Sequence, residues 1–170
     1  MLVMMNDRHG VVVTGGAGGI GSAVINRFRT AGWSCCSIDV AKVSGEDQTF
    51  SVQADLRTAQ ACRDAIAEAV HHLGRLDAVV NAAVVWHEGD TAATTEADFD
   101  RVIDINLKGT YFVAAAAIPH LAATRGCIVN LSSDAGIQGN SGAAAYCASK
   151  GGVSVFTKAL ALELAPRGVR

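Results

Sequence analysis

The chain has 170 residues, half of them hydrophobic, with 14 basic against 16 acidic side chains and a formal net charge of -2. That length suits one domain over 1–170, and the mixed charge without a basic stripe argues against nucleic acid or an anionic membrane surface as a partner. Five cysteines form no CxxC pair, residues 1–10 lack the apolar core of a signal peptide, and no run could cross a bilayer, so a soluble cytoplasmic protein with reduced thiols is expected.

The organising stretch is Val11-Val12-Val13-Thr14-Gly15-Gly16-Ala17-Gly18-Gly19-Ile20-Gly21. A β-branched run suits a strand buried on both faces, glycines permit a sharp turn, and a helix beginning near Gly19 aims free N–H groups into that turn. Such a place holds an anion, most often a pyrophosphate, although a plain glycine-rich loop gives a similar string and the residues downstream must decide. Ile20, Ala23, Val24, Arg27 and Phe28 recur at helical spacing, and Gly32 sits where a helix ends. The next strand, 33–38, leads into Asp39, eighteen residues past Gly21. An acid at about this distance accepts hydrogen bonds from the adenosine ribose and repels a 2′-phosphate; a solvated turn acid is the alternative.

A third strand over 49–53 is closed by Asp55, and Thr58 caps a helix through Leu73 with Ala61, Ala65, Ile66, Ala69 and Val70 inward. Residues 76–80 form a buried strand ending at Asn81, followed by a polar loop over 84–94. Thr95-Glu96-Ala97-Asp98 resembles a capping box opening a helical stretch through Phe99, Val102, Ile103 and Ile105, which Asn106 interrupts. A long apolar helix continues to about Thr124, Gly126 leads into a strand over 127–131, and Ser132 and Ser133 end it. A small-residue loop over 134–144 precedes a last helix over 145–165. The alternation predicts an α/β fold, a doubly wound parallel sheet with helices on both faces.

Tyr146 and Lys150 stand four apart on that last helix and share a face. An ammonium about 4 Å from a phenol at an effective dielectric of about 20 favours the phenolate by roughly 4 kcal/mol, enough for the pair to exchange protons near neutrality. The spacing alone also occurs in purely structural helices. Ser133 lies thirteen residues before Tyr146, at the carboxyl end of the preceding strand, the edge at which open α/β sheets bind ligands.

The set Thr14-Gly15-x-x-x-Gly19-x-Gly21, Asp55, Asn81-Ala82-Ala83, Asn106, Ser133 and Tyr146-x-x-x-Lys150 resembles the short-chain dehydrogenase/reductase family across nearly the whole chain. The resemblance implies a Rossmann-type fold, NAD as cofactor with NADP less favoured, and a secondary alcohol or ketone as substrate. It implies Tyr146 as general acid and base, Ser133 orienting the substrate oxygen, Lys150 favouring the phenolate and binding ribose, and Asn106 holding a relay water. It implies cofactor contacts at Thr14, Gly15, Gly19, Ile20, Gly21, Asp39, Asp55, Leu56, Asn81, Ala82, Ala83, Tyr146 and Lys150. Gly18 stands where phosphate-preferring relatives often carry a base, and Lys42 is the nearby cation. Helices around residues 107–124 and 145–165 commonly pair subunits in the family, so a homo-oligomer is expected.

Two departures shape the expectations. The family usually writes Asn-Asn-Ala-Gly where this chain has Asn81-Ala82-Ala83-Val84, and the sequence stops at Arg170 where the family enters another strand and a substrate-covering segment. The last strands of the family fold are therefore expected to be lacking, with 127–131 an open apolar edge that favours association and a substrate site with reduced turnover. A non-catalytic dinucleotide-binding module and an inactive piece of a longer dehydrogenase are the alternative readings. The loop His87-Glu88-Gly89-Asp90 has metal-ligand residue types without a second cluster, so no metal is expected and His87 is instead a candidate to line the substrate pocket. Cys147 has no histidine partner by motif for a nucleophilic role, and His71-His72 suits a helix end.

Overall fold

A computed structural model of the chain describes residues 8–42 and 49–170. Most of the amino-terminal stretch considered as a signal peptide, residues 1–7, lies outside the described residues. Five strands, β1 (Gly10–Thr14), β2 (Ser34–Asp39), β3 (Thr49–Gln53), β4 (Ala78–Asn81) and β5 (Cys127–Asn130), form one parallel sheet in the order β3-β2-β1-β4-β5. The central strand is the valine run, whose three valines are completely buried. Successive side chains alternate across the sheet, so Val12 joins Cys36, Ile38 and Val79 on one face while Val11 and Val13 join Cys35, Ala78 and Val80 on the other. This two-sided burial is why the strand reads as an unbroken apolar run.

Helix α1 (Gly19–Thr30) covers the second face through Val24, Ile25 and Phe28, and Gly32 at φ 83° turns the chain back into β2. The first face is covered by α2 (Ala59–Leu73), α4 (Thr110–Thr124) and α6 (Ala144–Leu164). Thr58 caps α2 by accepting from the Ala61 N–H at 3.2 Å, and Gly74 ends it at φ 76°. Its buried stripe is Cys62, Ala65, Ile66, Ala69 and Leu73, so Ala61 and Val70 sit at the margins and not at the centre of the face. Burying Ile66 and Leu73 contributes about 2–3 kcal/mol each.

The capping box forms at α3 (Glu96–Ile103), where Thr95 accepts from the Asp98 N–H at 3.1 Å and donates to its carboxylate at 2.6 Å. The interruption at Asn106 is a π-helical segment, Asp104–Gly109, joining α3 to α4. A four-residue helix, α5 (Ala135–Gln138), capped by Asp134, occupies the loop expected to be irregular.

The carboxyl edge differs from the open edge expected from sequence. The Ile128 N–H donates to the Arg170 carbonyl at 2.8 Å and the Arg170 N–H donates to the Gly126 carbonyl at 3.1 Å, so the last residues already run alongside β5. Val169 is buried beside them, while Val129 stays half-exposed. The register is that of one further parallel bridge, which satisfies part of the main chain that an open edge would leave to solvent.

Candidate active site

The chain leaves β1 outward to β2 and β3 on one side, then crosses to β4 and β5 on the other, so strand order reverses between β1 and β4. That switch point opens a crevice above Thr14 and Asn81, the standard ligand position of such sheets. The Thr14 hydroxyl accepts from the N–H groups of Ala82 and Ala83, both at 3.1 Å, and so draws the two strand ends together. Thr14 is itself buried, and shapes the crevice rather than facing it.

The glycines of the turn have separate reasons. Gly15 has φ 69°, and a Cβ there would lie 2.8 Å from the Ala83 backbone. A Cβ on Gly21 would lie 2.1 Å from the Gly15 carbonyl oxygen, because α1 rests directly on the turn. At Gly19 the opposite holds: an added Cβ would meet nothing within 4 Å. The first turn of α1 carries no acid and no side-chain cap, and Ile20 is exposed at its mouth. Free N–H groups around open space fit a diphosphate.

Asp39 faces this turn, its carboxylate accepting from the Ala17 N–H at 3.0 Å and from the Ala41 N–H at 3.0 Å. Beside it lies a cavity of about 120 Å³ lined by Gly15, Asp39, Asp55, Leu56, Ala83 and Ile105. The Arg57 guanidinium grips Asp55 at 2.6 and 2.8 Å and holds its carboxyl below the usual range. Asn81, buried at the end of β4, donates to Asn130 Oδ1 at 2.9 Å, and Asn130 donates to Thr157 Oγ1 at 2.9 Å. This amide ladder ties β4 and β5 to α6, and neither Asn130 nor Thr157 was marked by any motif.

On the other side of the crevice, the π-helical segment turns Asn106 inward, with none of its surface exposed. Its Oδ1 accepts from the Val85 N–H at 2.8 Å, and its Nδ2 donates to the Val85 carbonyl at 3.0 Å and to Ser149 Oγ at 3.1 Å. Both amide protons are thus used, so a relay water at this residue would have to donate, to the second lone pair of Oδ1 or to the main-chain carbonyl. Ser149 donates in turn to the Tyr146 carbonyl at 2.7 Å, so Asn106 fixes the first turn of α6.

Lys150 is buried, its Nζ donating to the Leu131 carbonyl at 2.7 Å and standing 5.9 Å from the centre of the Tyr146 ring. Burial pushes its pKa down from the ordinary lysine value. A Cβ on Gly136 would lie 2.6 Å from the backbone of Lys150 and Gly151, so α5 packs directly on α6 at this lysine. Ser133, at the mouth of α5, donates to the Asp134 carboxylate at 3.0 Å and accepts from the Ala135 N–H at 3.2 Å.

The loop after β4 brings Trp86 to the tyrosine: the Trp86 and Tyr146 rings lie 4.4 Å apart at 56°. The His87 Nδ1 is 3.8 Å from the Asp98 carboxylate, and its Nε2 is buried near Gly89. Cys147 accepts from the Asn140 N–H at 3.2 Å. Among the described residues no three His, Cys, Asp or Glu side chains gather as a metal site requires, and no helix is long and apolar enough to cross a membrane.

Known proteins resemble this chain in sequence and fold. The profile of the short chain dehydrogenase family matches residues 9–170. The chain is 35% identical to the meso-2,3-butanediol dehydrogenase of Serratia marcescens, the match covering 98% of this chain and 70% of that protein. It is 36% identical to the L-fucose dehydrogenase of Mus musculus, over 94% of this chain and 61% of the relative, so it spans between three-fifths and three-quarters of these proteins' length. The crystal structure of a 3-ketoacyl-(acyl-carrier-protein) reductase from Brucella melitensis complexed with NADH superposes with a TM-score of 0.90 at 28% identity, covering 95% of this chain and 72% of that one. With a switch-point crevice, a glycine cradle and a Tyr–Lys pair on one helix face, this chain belongs to the short-chain dehydrogenase/reductase family.

Proposed function

We propose that the chain exchanges a hydride between NAD and a secondary alcohol or ketone, with Tyr146 as its acid and base. The observation that carries the reading is the desolvated Lys150 ammonium 5.9 Å from the centre of the Tyr146 ring. When bound, the nicotinamide supplies the hydride acceptor at its C4. Gly15, Gly19, Ile20 and Gly21 hold the diphosphate, Asp39 the adenosine ribose, and Asp55 and Leu56 the adenine. Asn81, Ala82 and Ala83 flank the nicotinamide half, Lys150 reaches its ribose, and Thr14 acts through the strand ends it joins.

In oxidation the Tyr146 phenolate takes the proton of the substrate hydroxyl as the carbinol hydrogen leaves with its electron pair. Ser133 orients the oxygen; its proton now rests on Asp134, so the hydroxyl rotates about its Cβ–Oγ bond to donate to substrate. The Lys150 Nζ is held by the Leu131 carbonyl beside the Tyr146 ring, on the same face of α6. Asn106 acts chiefly by fixing Val85 and α6, with a relay water resting on the main chain of the π-helical segment. Asp39 repels a 2′-phosphate, which supports NAD over NADP.

Self-association would use the apolar surface of α4 and α6, where Tyr111, Val155 and Leu162 are exposed and Tyr111 lies 4.8 Å from Phe156. A reducing cytoplasm suits five free cysteines. The test is formation of NADH or NADPH from a panel of secondary alcohols, with binding of both cofactors followed by fluorescence in the wild type and Asp39→Ala. Turnover with NAD, and a narrowed preference in the variant, is the expected result. Tighter NADP binding by the wild type sinks the cofactor assignment, and cofactor binding without turnover of any alcohol favours the dinucleotide-binding module.

A further inference from the structure

Beside Tyr146 lies an exposed aromatic side chain that no motif announces. Trp86 lies in the polar loop after β4, and its ring meets that of Tyr146 at 4.4 Å. It nevertheless keeps 47% of its surface exposed, so Tyr146 covers only part of the indole. The backbone beneath it is held on both sides: Asn106 grips Val85 through N–H and carbonyl, and Arg101 Nη2 donates to the Trp86 carbonyl at 3.3 Å. The loop is further tied to the segment before α6, where the Gly89 N–H donates to the Gly142 carbonyl at 2.8 Å. Fixed backbone under a large, half-covered ring is the construction of a wall, and a rigid aromatic covers area at small entropic cost.

The geometry points to Trp86 as a specificity-determining residue, one that receives a bulky apolar ring, either an aryl substituent on the carbon bearing the reacting oxygen or an alicyclic ring that contains that carbon. The inference rests on the proposed acid–base role of Tyr146, because only a substrate whose oxygen reaches that phenol brings its neighbouring group against the indole. The uncovered indole is apolar and offers a single N–H donor, so it rewards shape and apolar area over hydroxyl count. A short alcohol with methyl groups alone reaches Tyr146 without filling the wall. Removing the indole should therefore separate the two kinds of substrate.

The experiment compares Trp86→Ala and Trp86→Phe with the wild-type chain on 1-phenylethanol, cyclohexanol and 2-propanol, with NAD. For Trp86→Ala, kcat/KM on the first two is expected to fall roughly tenfold or more, mainly through KM, while that on 2-propanol changes less than about threefold; Trp86→Phe restores most of the loss. Equal losses on all three alcohols would mean that Trp86 merely props Tyr146, and unchanged ratios would mean that substrate never touches it. Either result overturns the inference.

A second readout needs no turnover. In a Trp33→Phe background, Trp86 is the remaining tryptophan of the chain, and with NAD present 1-phenylethanol should change its emission saturably while 2-propanol does not. Saturable binding without turnover of any alcohol would contradict the proposed reaction and leave the wall in place. Emission that responds to neither alcohol, or to both alike, refutes the wall whether or not the chain turns over.

Discussion

At the end proposed to take the nucleotide, the crevice is built from backbone: Gly15, Gly19 and Gly21 lie within seven residues, and Asp39 is fixed by the Ala17 N–H. At the other end, where substrate is proposed to bind, it is built from side chains from four places: Trp86 from the loop after β4, Ser133 from the end of β5 and Tyr146 and Lys150 from α6, with buried Asn106 of the π-helical segment holding the backbone behind them. In the first kind Gly15 and Gly21 admit no added atom, Gly19 faces open space, and few partners are needed. Parts of the second kind tolerate substitution sterically but depend on hydrogen bonds between residues 21 and 43 positions apart. Substitution at Gly15 or Gly21 should therefore fail by folding badly, substitution at Gly19 by blocking the open space alone, and the side-chain end by losing alignment or proton transfer.

The largest effect expected is at Gly21. A Cβ 2.1 Å from the Gly15 carbonyl oxygen forces α1 off the turn, so Gly21→Ala should lose about 3 kcal/mol or more and much of its nucleotide binding. Denaturant unfolding with and without NADH measures both, and unchanged stability would show that the turn yields freely.

Asn106→Ala comes next. It strips the partners from the Val85 N–H and carbonyl and from Ser149, at a cost of about 2–4 kcal/mol. Turnover should fall while NADH affinity changes little, because the glycine turn lies across the crevice. If affinity fell as far as turnover, the two ends would not be separable.

Lys150→Met tests whether a residue of the second kind serves chemistry at the expense of stability. Its pKa is held below the usual 10.5 by burial, so the folded state binds fewer protons than the unfolded one between the depressed value and 10.5. Wild-type stability from this group therefore rises with pH through that window. Near neutrality Lys150→Met should be as stable as the wild type or more stable by about 1 kcal/mol, with turnover lost, and the difference should shrink as pH climbs. A clearly less stable methionine variant would make the ammonium a net structural asset.

The smallest stability effect is expected at Gly19. Nothing lies within 4 Å of an added Cβ, so Gly19→Ala should alter stability by no more than about 1 kcal/mol, in the favourable direction, as alanine replaces glycine in a helix. NADH affinity should still drop about tenfold, about 1.4 kcal/mol, because the methyl enters the space a diphosphate needs. Undiminished affinity would remove the diphosphate from that space.

The same contrast explains what the amino-acid sequence revealed. Local devices were legible: the valine run, the caps at Thr58 and Thr95, the bounds of β3, and the break at Asn106 all arise from neighbours in the chain. The capping of α5 by Asp134 was hidden because four residues carry no periodicity. The stripe on α2 was displaced towards Cys62 and Leu73 because the three-dimensional neighbours, not the pattern alone, decide which flank is covered. Trp86 against Tyr146, Asn130 between Asn81 and Thr157, and Arg170 beside β5 are contacts across the fold, which spacing does not encode. Trp86 did carry one usable signal, a large aromatic in a polar loop directly after a buried strand.

The central claim is that Tyr146 moves the proton, and Tyr146→Phe tests it most directly because the ring against Trp86 remains while the hydroxyl goes. NADH formation from a secondary alcohol that the wild-type chain oxidises is to be measured beside NADH binding for both proteins. The account predicts turnover reduced by at least about a hundredfold, the scale of a lost general acid–base group, with cofactor affinity within about twofold. Retention of most of the turnover with equal cofactor affinity would contradict it.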